Sequence, residues 1–462
     1  MFFKSFFDEK LAQMSYMIAC QQTGEALVID PARDITPYLE TAQKEGFTIT
    51  GAAETHIHAD FTSGVRELAN RLDVKLYFSD EGSTNWKYQN LSKLNHQLLK
   101  DRDLIRVGKV KLEVMHTPGH TPESLSYLLT DEGGGSEVPM GIFTGDFVFV
   151  GDVGRPDLLE KAAAEKGTAE ESAKEMYHSL KRFAKLPDYV QVWPGHGAGS
   201  ACGKSLGAVP SSTVGYEKIN NWALNVKDEA TFVANLLDGQ PEPPKYFAEM
   251  KKLNKQGPKL LGHHDVKKVS LEHLNQLKEE NVNIVDTRSS SEFANGHVEG
   301  TLNIPFNQSF TNWAGWLLDY DKKIAFIADS QEVEAVQKAL QSIGLDEVSH
   351  YMEKSELEKS GSLESYESIS VEELEEKYKD HNDYVIIDVR NQSEWDAGHM
   401  EKAKHIMLGT LPERLDEIGG DVTPIVHCQS GMRSAIAVSV MQANGFKNVL
   451  NLTGGYAAWN KY

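Results

Sequence analysis

Two histidines and an aspartate alternate in Glu54-Thr55-His56-Ile57-His58-Ala59-Asp60-Phe61. Side chains of these types at alternating positions can converge on one metal ion. Three further stretches carry related chemistry: Thr117-Pro118-Gly119-His120-Thr121, Phe143-Thr144-Gly145-Asp146 and Val192-Trp193-Pro194-Gly195-His196-Gly197. Taken singly, each reads as a polar turn of the kind Gly and Pro favour. Four in this order, within about one domain length, make a strong signal. A different chemistry sits near the C-terminal end, in Ile425-Val426-His427-Cys428-Gln429-Ser430-Gly431-Met432-Arg433-Ser434. A thiol that enters a Gly-containing loop ahead of a helix meets loop amides and the helix dipole. These lower its pKa and hold an anion. Arg433 adds a fixed positive charge at the far end of the loop.

Regular elements must deliver these residues. The apolar run Phe47 to Ala53 predicts a strand leading into the His56 turn, and Val65 to Leu72 a helix leaving it. Val110 to Met115 predicts the strand before His120, with His116 as a packing or solvated residue. Ala26 to Asp30 reads as a strand, Ile35 to Gly46 as a helix, and residues 213 to 238 as closing helices. Gly239-Gln240-Pro241-Glu242-Pro243-Pro244 breaks regularity, and the basic stretch Lys251 to Lys259 reads as a linker.

Beyond it the chain repeats itself. Asp286-Thr287-Arg288, Glu292-Phe293 and Gly296-His297 recur 102 residues later as Asp388-Val389-Arg390, Glu394-Trp395 and Gly398-His399. Each copy opens with a helix (Leu271 to Glu279, Val371 to Tyr378) and a buried-strand pattern (Val282 to Val285, Tyr384 to Ile387), which predicts a parallel α/β sheet. Lys354 to Ser370 reads as a flexible or surface connector. Where the second copy has Cys428, the first reads Phe326-Ile327-Ala328-Asp329-Ser330-Gln331 and holds no cysteine, so it is expected to be scaffold.

With 462 residues, two to four domains are expected. A formal net charge of -21 argues against nucleic acid or an anionic membrane surface as the main partner. No apolar run approaches the ~20 residues of a bilayer span. The apolar start Met1 to Phe7 is cut short by Asp8, Glu9 and Lys10, so a first strand and a cytoplasmic location are expected. Cys20, Cys202 and Cys428 are too far apart in the chain to suggest a disulfide framework, and Cys20 reads as a core residue.

The four strand-end signals resemble the metallo-β-lactamase superfamily, with Phe61 standing where its signature has a second-site histidine. The resemblance narrows to the mononuclear-iron persulfide dioxygenases and implies one Fe(II) per chain held by His56, His120 and Asp146, a set suited to iron and O2 chemistry. It makes Asp30 a structural acid and Asp60 and His196 second-site remnants near the metal. His58 becomes a residue around the metal or on the substrate side, and Arg155 a substrate contact or a partner of Asp157. Cys202, in a Gly-rich loop after His196 that could approach the metal cleft, is expected to relay sulfur or to be an inert thiol. Four residues separate Cys428 from Arg433, and with Gly454-Gly455-Tyr456-Ala457-Ala458-Trp459 the second copy resembles a rhodanese sulfurtransferase.

The expected architecture is an α/β multidomain chain. An αββα metallo-β-lactamase sandwich (1–260) is followed by two rhodanese-type parallel α/β domains, a Cys-less one (266–355) and an active one (368–462). This order resembles the persulfide dioxygenase–sulfurtransferase fusions of bacterial sulfide detoxification. It implies a small-molecule thiol persulfide, O2 and sulfite or thiosulfate as partners, with Cys428 and Arg433 catalytic and a homo-oligomeric state. The rivals are a zinc thioester hydrolase of the glyoxalase II type and a non-catalytic persulfide carrier or sensor.

Overall fold

The computed structural model describes residues 1–158, 160, 168–204, 206–262, 265–359, 362–380, 383–419 and 422–462. Residues 1–262, with 341–344, make one compact unit, and the rest of the described chain makes a second.

The first unit holds two six-stranded sheets. One runs in the order β1 (Phe2–Asp8), β2 (Gln13–Ala19), β3 (Glu25–Ile29), β4 (Thr48–Ala53), β5 (Lys75–Ser79) and β6 (His96–Leu99). The other is built from β7 (Leu104–Val107), β8 (Val110–His116), β9 (Leu125–Asp131), β10 (Gly141–Gly145), β11 (Gln191–Pro194) and β12 (Ser212–Thr213). Strand periodicity sorts β2 into two cores. Met14, Tyr16 and Ile18 join Val114, Tyr127 and Phe143 between the sheets, whereas Met17 and Ala19 pack with Tyr38, Ala42 and Leu68 of the helices Thr36–Glu45 and Val65–Leu72. The helices Thr168–Phe183 and Glu229–Leu237 cover the second sheet through Met176, Leu180, Phe232 and Leu236. The result is the αββα sandwich. The expected linker Lys251 to Lys259 is instead largely helix: Tyr246–Gln256 buries Tyr246, Phe247, Met250 and Asn254 on one face. Its lysines hid the apolar spacing, although Lys251 itself lies over the buried Trp86 ring at 3.6 Å.

The second unit holds two five-stranded parallel sheets of the same topology. The first copy contributes β13 (Lys267–Lys268), β14 (Asn283–Asp286), β15 (Leu302–Asn303), β16 (Ile324–Ile327) and β17 (Val348–Met352), in the order β13-β17-β16-β14-β15. The second contributes β18 (Glu367–Ile369), β19 (Tyr384–Asp388), β20 (Lys404–His405), β21 (Thr423–His427) and β22 (Leu450–Leu452), in the order β18-β22-β21-β19-β20. The two copies join in one compact unit because the first reaches into the core of the second. Leu302, Trp313 and Leu317 pack against the cluster that contains Cys428 and Ile436, and the Asn303 amide donates to Ser439 Oγ at 3.0 Å. The expected flexible connector is partly ordered as a short helix, Lys354–Lys359, and as β18; Ser360 and Gly361 of that stretch lie outside the described residues. No helix among the described residues is long and apolar enough to cross a membrane.

Candidate active sites

At the C-terminal end of β4 the chain turns sharply, and Asp30, at the end of β3, organises the turn. Its carboxylate accepts from the Thr55 amide (2.7 Å) and from Thr55 Oγ1 (2.8 Å), and His58 Nε2 lies 3.0 Å away. The Thr55 hydroxyl proton is committed to Asp30, so His56 Nδ1–H donates to Thr55 Oγ1 at 2.9 Å. On the opposite sheet His120 Nδ1–H donates to the Arg155 carbonyl at 2.9 Å. Both rings therefore keep Nε2 as the free lone pair, the tautomer a metal needs. Both Nε2 atoms face Asp146 Oδ2, at 3.9 Å from His56 and 3.6 Å from His120.

His56, His120 and Asp146 are buried, and their ligating atoms lie within 4.8 Å of one another. His56 Nε2 and both Asp146 carboxylate oxygens have no hydrogen-bond partner among the described residues. Buried lone pairs left unpaired in this way are costly unless a cation takes them. The residues present fit a metal. Burial, reinforced by the neighbouring histidines, drives His56 well below its ordinary pKa, which keeps it a neutral donor. Gly195 is required beside this carboxylate, because a Cβ there would stand 2.6 Å from Asp146 Oδ1.

His58 and Phe61 do not join this set. Phe61 is buried, and its ring packs on His58 with centroids 4.4 Å apart. Burial would lower the His58 pKa, but the Asp30 carboxylate, helped by Glu54, overrides it and lifts the ring to about 9.

The remaining predicted residues form a second cluster. Asp60, His196 and Cys202 bring three buried ligating atoms within 4.8 Å of one another. His196 Nδ1–H donates to the Ala12 carbonyl at 3.1 Å, and its Nε2 lies 3.1 Å from Asp60 Oδ2 and 3.4 Å from Asp146 Oδ1. Cys202 thus stands beside the Asp60 carboxylate, so its Gly-rich loop does approach the cleft. Burial, with Asp146 and Asp60, pushes its thiol up to about 12, which favours a neutral thiol or a metal donor over a free nucleophile. Arg155 is fully buried and its fork is spent on Asp157, at 2.8 and 2.7 Å, and on the Pro241 carbonyl at 2.6 Å. Its amide donates to the Cys202 carbonyl at 3.0 Å. Arg155 therefore builds the loop walls, and pairing with Asp157 is the alternative the geometry favours.

Sequence reading missed two residues that hold the turn. Asn254 donates to the His58 and Phe61 carbonyls (2.8 and 2.7 Å) and accepts from the Ser63 amide (2.9 Å). Glu123 accepts from the Ile57 amide at 2.8 Å. The spacing Tyr246, Phe247, Met250, Asn254 could have exposed the first; nothing in the sequence marked the second.

In the second unit, Cys428 follows β21 and is buried, and its Sγ accepts from the Gly431 amide at 3.1 Å. Gly431 has φ 104°, a conformation in which glycine is strongly favoured, and caps the helix Met432–Ala443. The Ser434 hydroxyl lies 3.6 Å from the same sulfur. Arg433 closes the loop but is itself gripped by Glu394 at 2.6 and 2.7 Å. In the first copy the corresponding stretch is a short turn, Ser330–Glu332, capped by Asp329, whose carboxylate pairs with Lys354 at 3.0 Å.

A family profile for the metallo-beta-lactamase superfamily matches residues 9–196, and one for the rhodanese-like domain matches 270–354 and 370–462. A crystal structure described as a metallo-beta-lactamase from Staphylococcus aureus subsp. aureus COL is 48% identical, covers 76% of this chain and 99% of that one, and superposes with a TM-score of 0.70. The chain belongs to the metallo-beta-lactamase superfamily. To that sandwich it adds two rhodanese-like domains. The structure of ETHE1 from Myxococcus xanthus is 28% identical over 55% of this chain and 98% of that one, with a TM-score of 0.45. A hydroxyacylglutathione hydrolase from Tolumonas auensis is 31% identical over 40% of this chain and 62% of its own length. The first curated relatives matched are spanned over only about half their length, 54%.

Proposed function

We propose that the metallo-beta-lactamase unit is a persulfide dioxygenase with one ferrous ion held by His56, His120 and Asp146, and that Cys428 carries sulfane sulfur. One observation bears most of the weight: a buried two-histidine, one-carboxylate set beside a phenylalanine where a second-metal histidine would stand. Such a set leaves several coordination positions open and suits non-haem iron. Iron bound there would supply a centre at which O2 and a terminal sulfur anion can be held together. The chain's own contribution is orientation. Thr55 and the Arg155 carbonyl fix the two imidazoles, and Asn254 and Glu123 hold the turn that carries His56. Buried Phe61 and Phe149 add apolar surface at the cleft.

The balanced reaction takes a thiol persulfide, O2 and water to the thiol and sulfite. Cys428 thiolate then takes the outer sulfur of a second persulfide, releasing its thiol. Sulfite accepts that sulfur as thiosulfate and returns the thiolate.

A second reading is thioester hydrolysis with two metal ions. The Asp60, His196 and Cys202 cluster against Asp146 Oδ1, together with the similarity to a hydroxyacylglutathione hydrolase, favours it. Metal content separates the two. About one iron per chain and O2 consumption with a persulfide are expected, and His120→Ala should abolish both. Two metals per chain, or full activity with stoichiometric zinc in place of iron, would sink the dioxygenase reading.

A further inference from the structure

Glu394 has two duties, and only one is shared with the Cys-less copy. On the short helix Gln392–Asp396 it closes a capping box with Asn391, whose amide donates to Glu394 Oε2 at 3.1 Å. Glu292 does the same with Ser289 in the first copy, at 3.1 Å. In the second copy the carboxylate also receives both arms of the Arg433 fork, at 2.6 and 2.7 Å, with both side chains partly buried. Burial lowers the Arg433 pKa, but the Glu394 carboxylate, with a smaller part from Cys428, lifts it above its ordinary value. The one cation the loop sequence supplies is therefore already paired with a carboxylate before any ligand arrives.

The surrounding charges do not replace it. Arg390 is held by Asp388 at 3.0 and 2.7 Å, reaches Gln429 at 3.3 Å and lies over the Tyr456 ring. His427 lies 3.6 Å from the same Asp388, and burial lowers its pKa, so it is neutral. Ser434 and the Gly431 amide contribute dipoles only.

We infer that Glu394 is a positioning residue for the sulfur-transfer loop: it locks the Arg433 fork across the mouth of the Cys428 cradle and weakens the hold of that cradle on anions. The weakening has a chemical use if, as the proposed function holds, thiosulfate leaves from this loop. A dianion released beside a full, unpaired guanidinium would linger, and the next persulfide could not enter. Glu394 thus trades anion affinity for turnover.

The test uses the full chain and needs no natural substrate. Cys428 is alkylated in parallel with anionic iodoacetate and neutral iodoacetamide at one pH, and modification is read at the Cys428 peptide by mass spectrometry. The ratio of the two rates cancels the thiolate fraction and reports the local potential. Glu394→Gln keeps the capping box, since Gln serves at that position as well, and removes only the charge. The iodoacetate-to-iodoacetamide ratio should rise about threefold to tenfold, as the loss of one partly screened charge from the loop requires. Thiosulfate should inhibit the variant at correspondingly lower concentration, and Glu394→Asp should restore both values toward wild type.

An unchanged ratio in Glu394→Gln, with an iodoacetamide rate no lower than wild type to show an intact loop, overturns the inference. If Cys428 were no sulfur carrier at all, the ratio would still rise while sulfane transfer stayed absent in wild type. The two readings fail separately.

Discussion

The two rhodanese-like copies share almost everything except chemistry. Both fold as five-stranded parallel sheets in the same order, and both fork an arginine onto an aspartate two residues earlier. In both, that arginine also donates to the carbonyl of a glycine eight residues on, at 2.8 Å. Even the stacked aromatic–histidine pair is kept: Phe293 with His297 at 3.7 Å and Trp395 with His399 at 3.6 Å. The difference that bears on chemistry lies in a few residues after β16 and β21. In one copy Gly431 turns its amide toward a thiol; in the other Asp329 caps a helical turn and is tied down by Lys354. The scaffold positions a loop, but the loop needs a glycine in the left-handed region before its amides can face an anion.

What the Cys-less copy still does is pack. Trp316 is mostly buried against Gly409, where an added Cβ would run into its ring. Trp316→Ala should therefore cost about 3–5 kcal/mol, as other large core truncations do. Urea titration should show both copies losing structure together while O2 uptake survives. Two separate transitions would break the idea that one copy supports the other.

Arg433→Ala is a smaller change. The Gly431 amide and Ser434 remain, so sulfane transfer should fall about ten- to a hundredfold, in keeping with one lost charge-assisted hydrogen bond. Loss as complete as that of the cysteine itself would show that the amides hold little.

Smallest of all should be Asp329→Ala, with both activities unchanged and stability lowered by about 0.5–2 kcal/mol through the lost cap. Asp329→Cys should place a thiol on the same scaffold with ordinary alkylation chemistry and no sulfane transfer. Transfer activity there would mean the strand end alone suffices.

Most of the sandwich and both repeats were legible because their signals are local. Strands end on His, Asp or Cys, and the repeated Asp-x-Arg and Gly-His motifs keep a fixed spacing. The helix Tyr246–Gln256 was not, since its polar lysines outweighed four buried positions. That the Cys202 loop could approach the cleft was legible, but its meeting with Asp60 and His196 was not, since it depends on a loop held by Arg155 from elsewhere in the chain. The ion pair between Arg433 and Glu394 spans 39 residues, and the repeat hid it, because the corresponding Glu292 in the first copy closes a capping box with Ser289.

The division of labour between the two units is tested most directly by product analysis of Cys428→Ser, supplied with a persulfide and O2. A serine hydroxyl lacks the polarisable thiolate that takes and carries sulfur. Iron content and O2 uptake should match the wild type while the product shifts from thiosulfate to sulfite. Thiosulfate formed at the wild-type rate would mean that sulfur travels by another residue, with Cys202 the remaining thiol near a reactive centre.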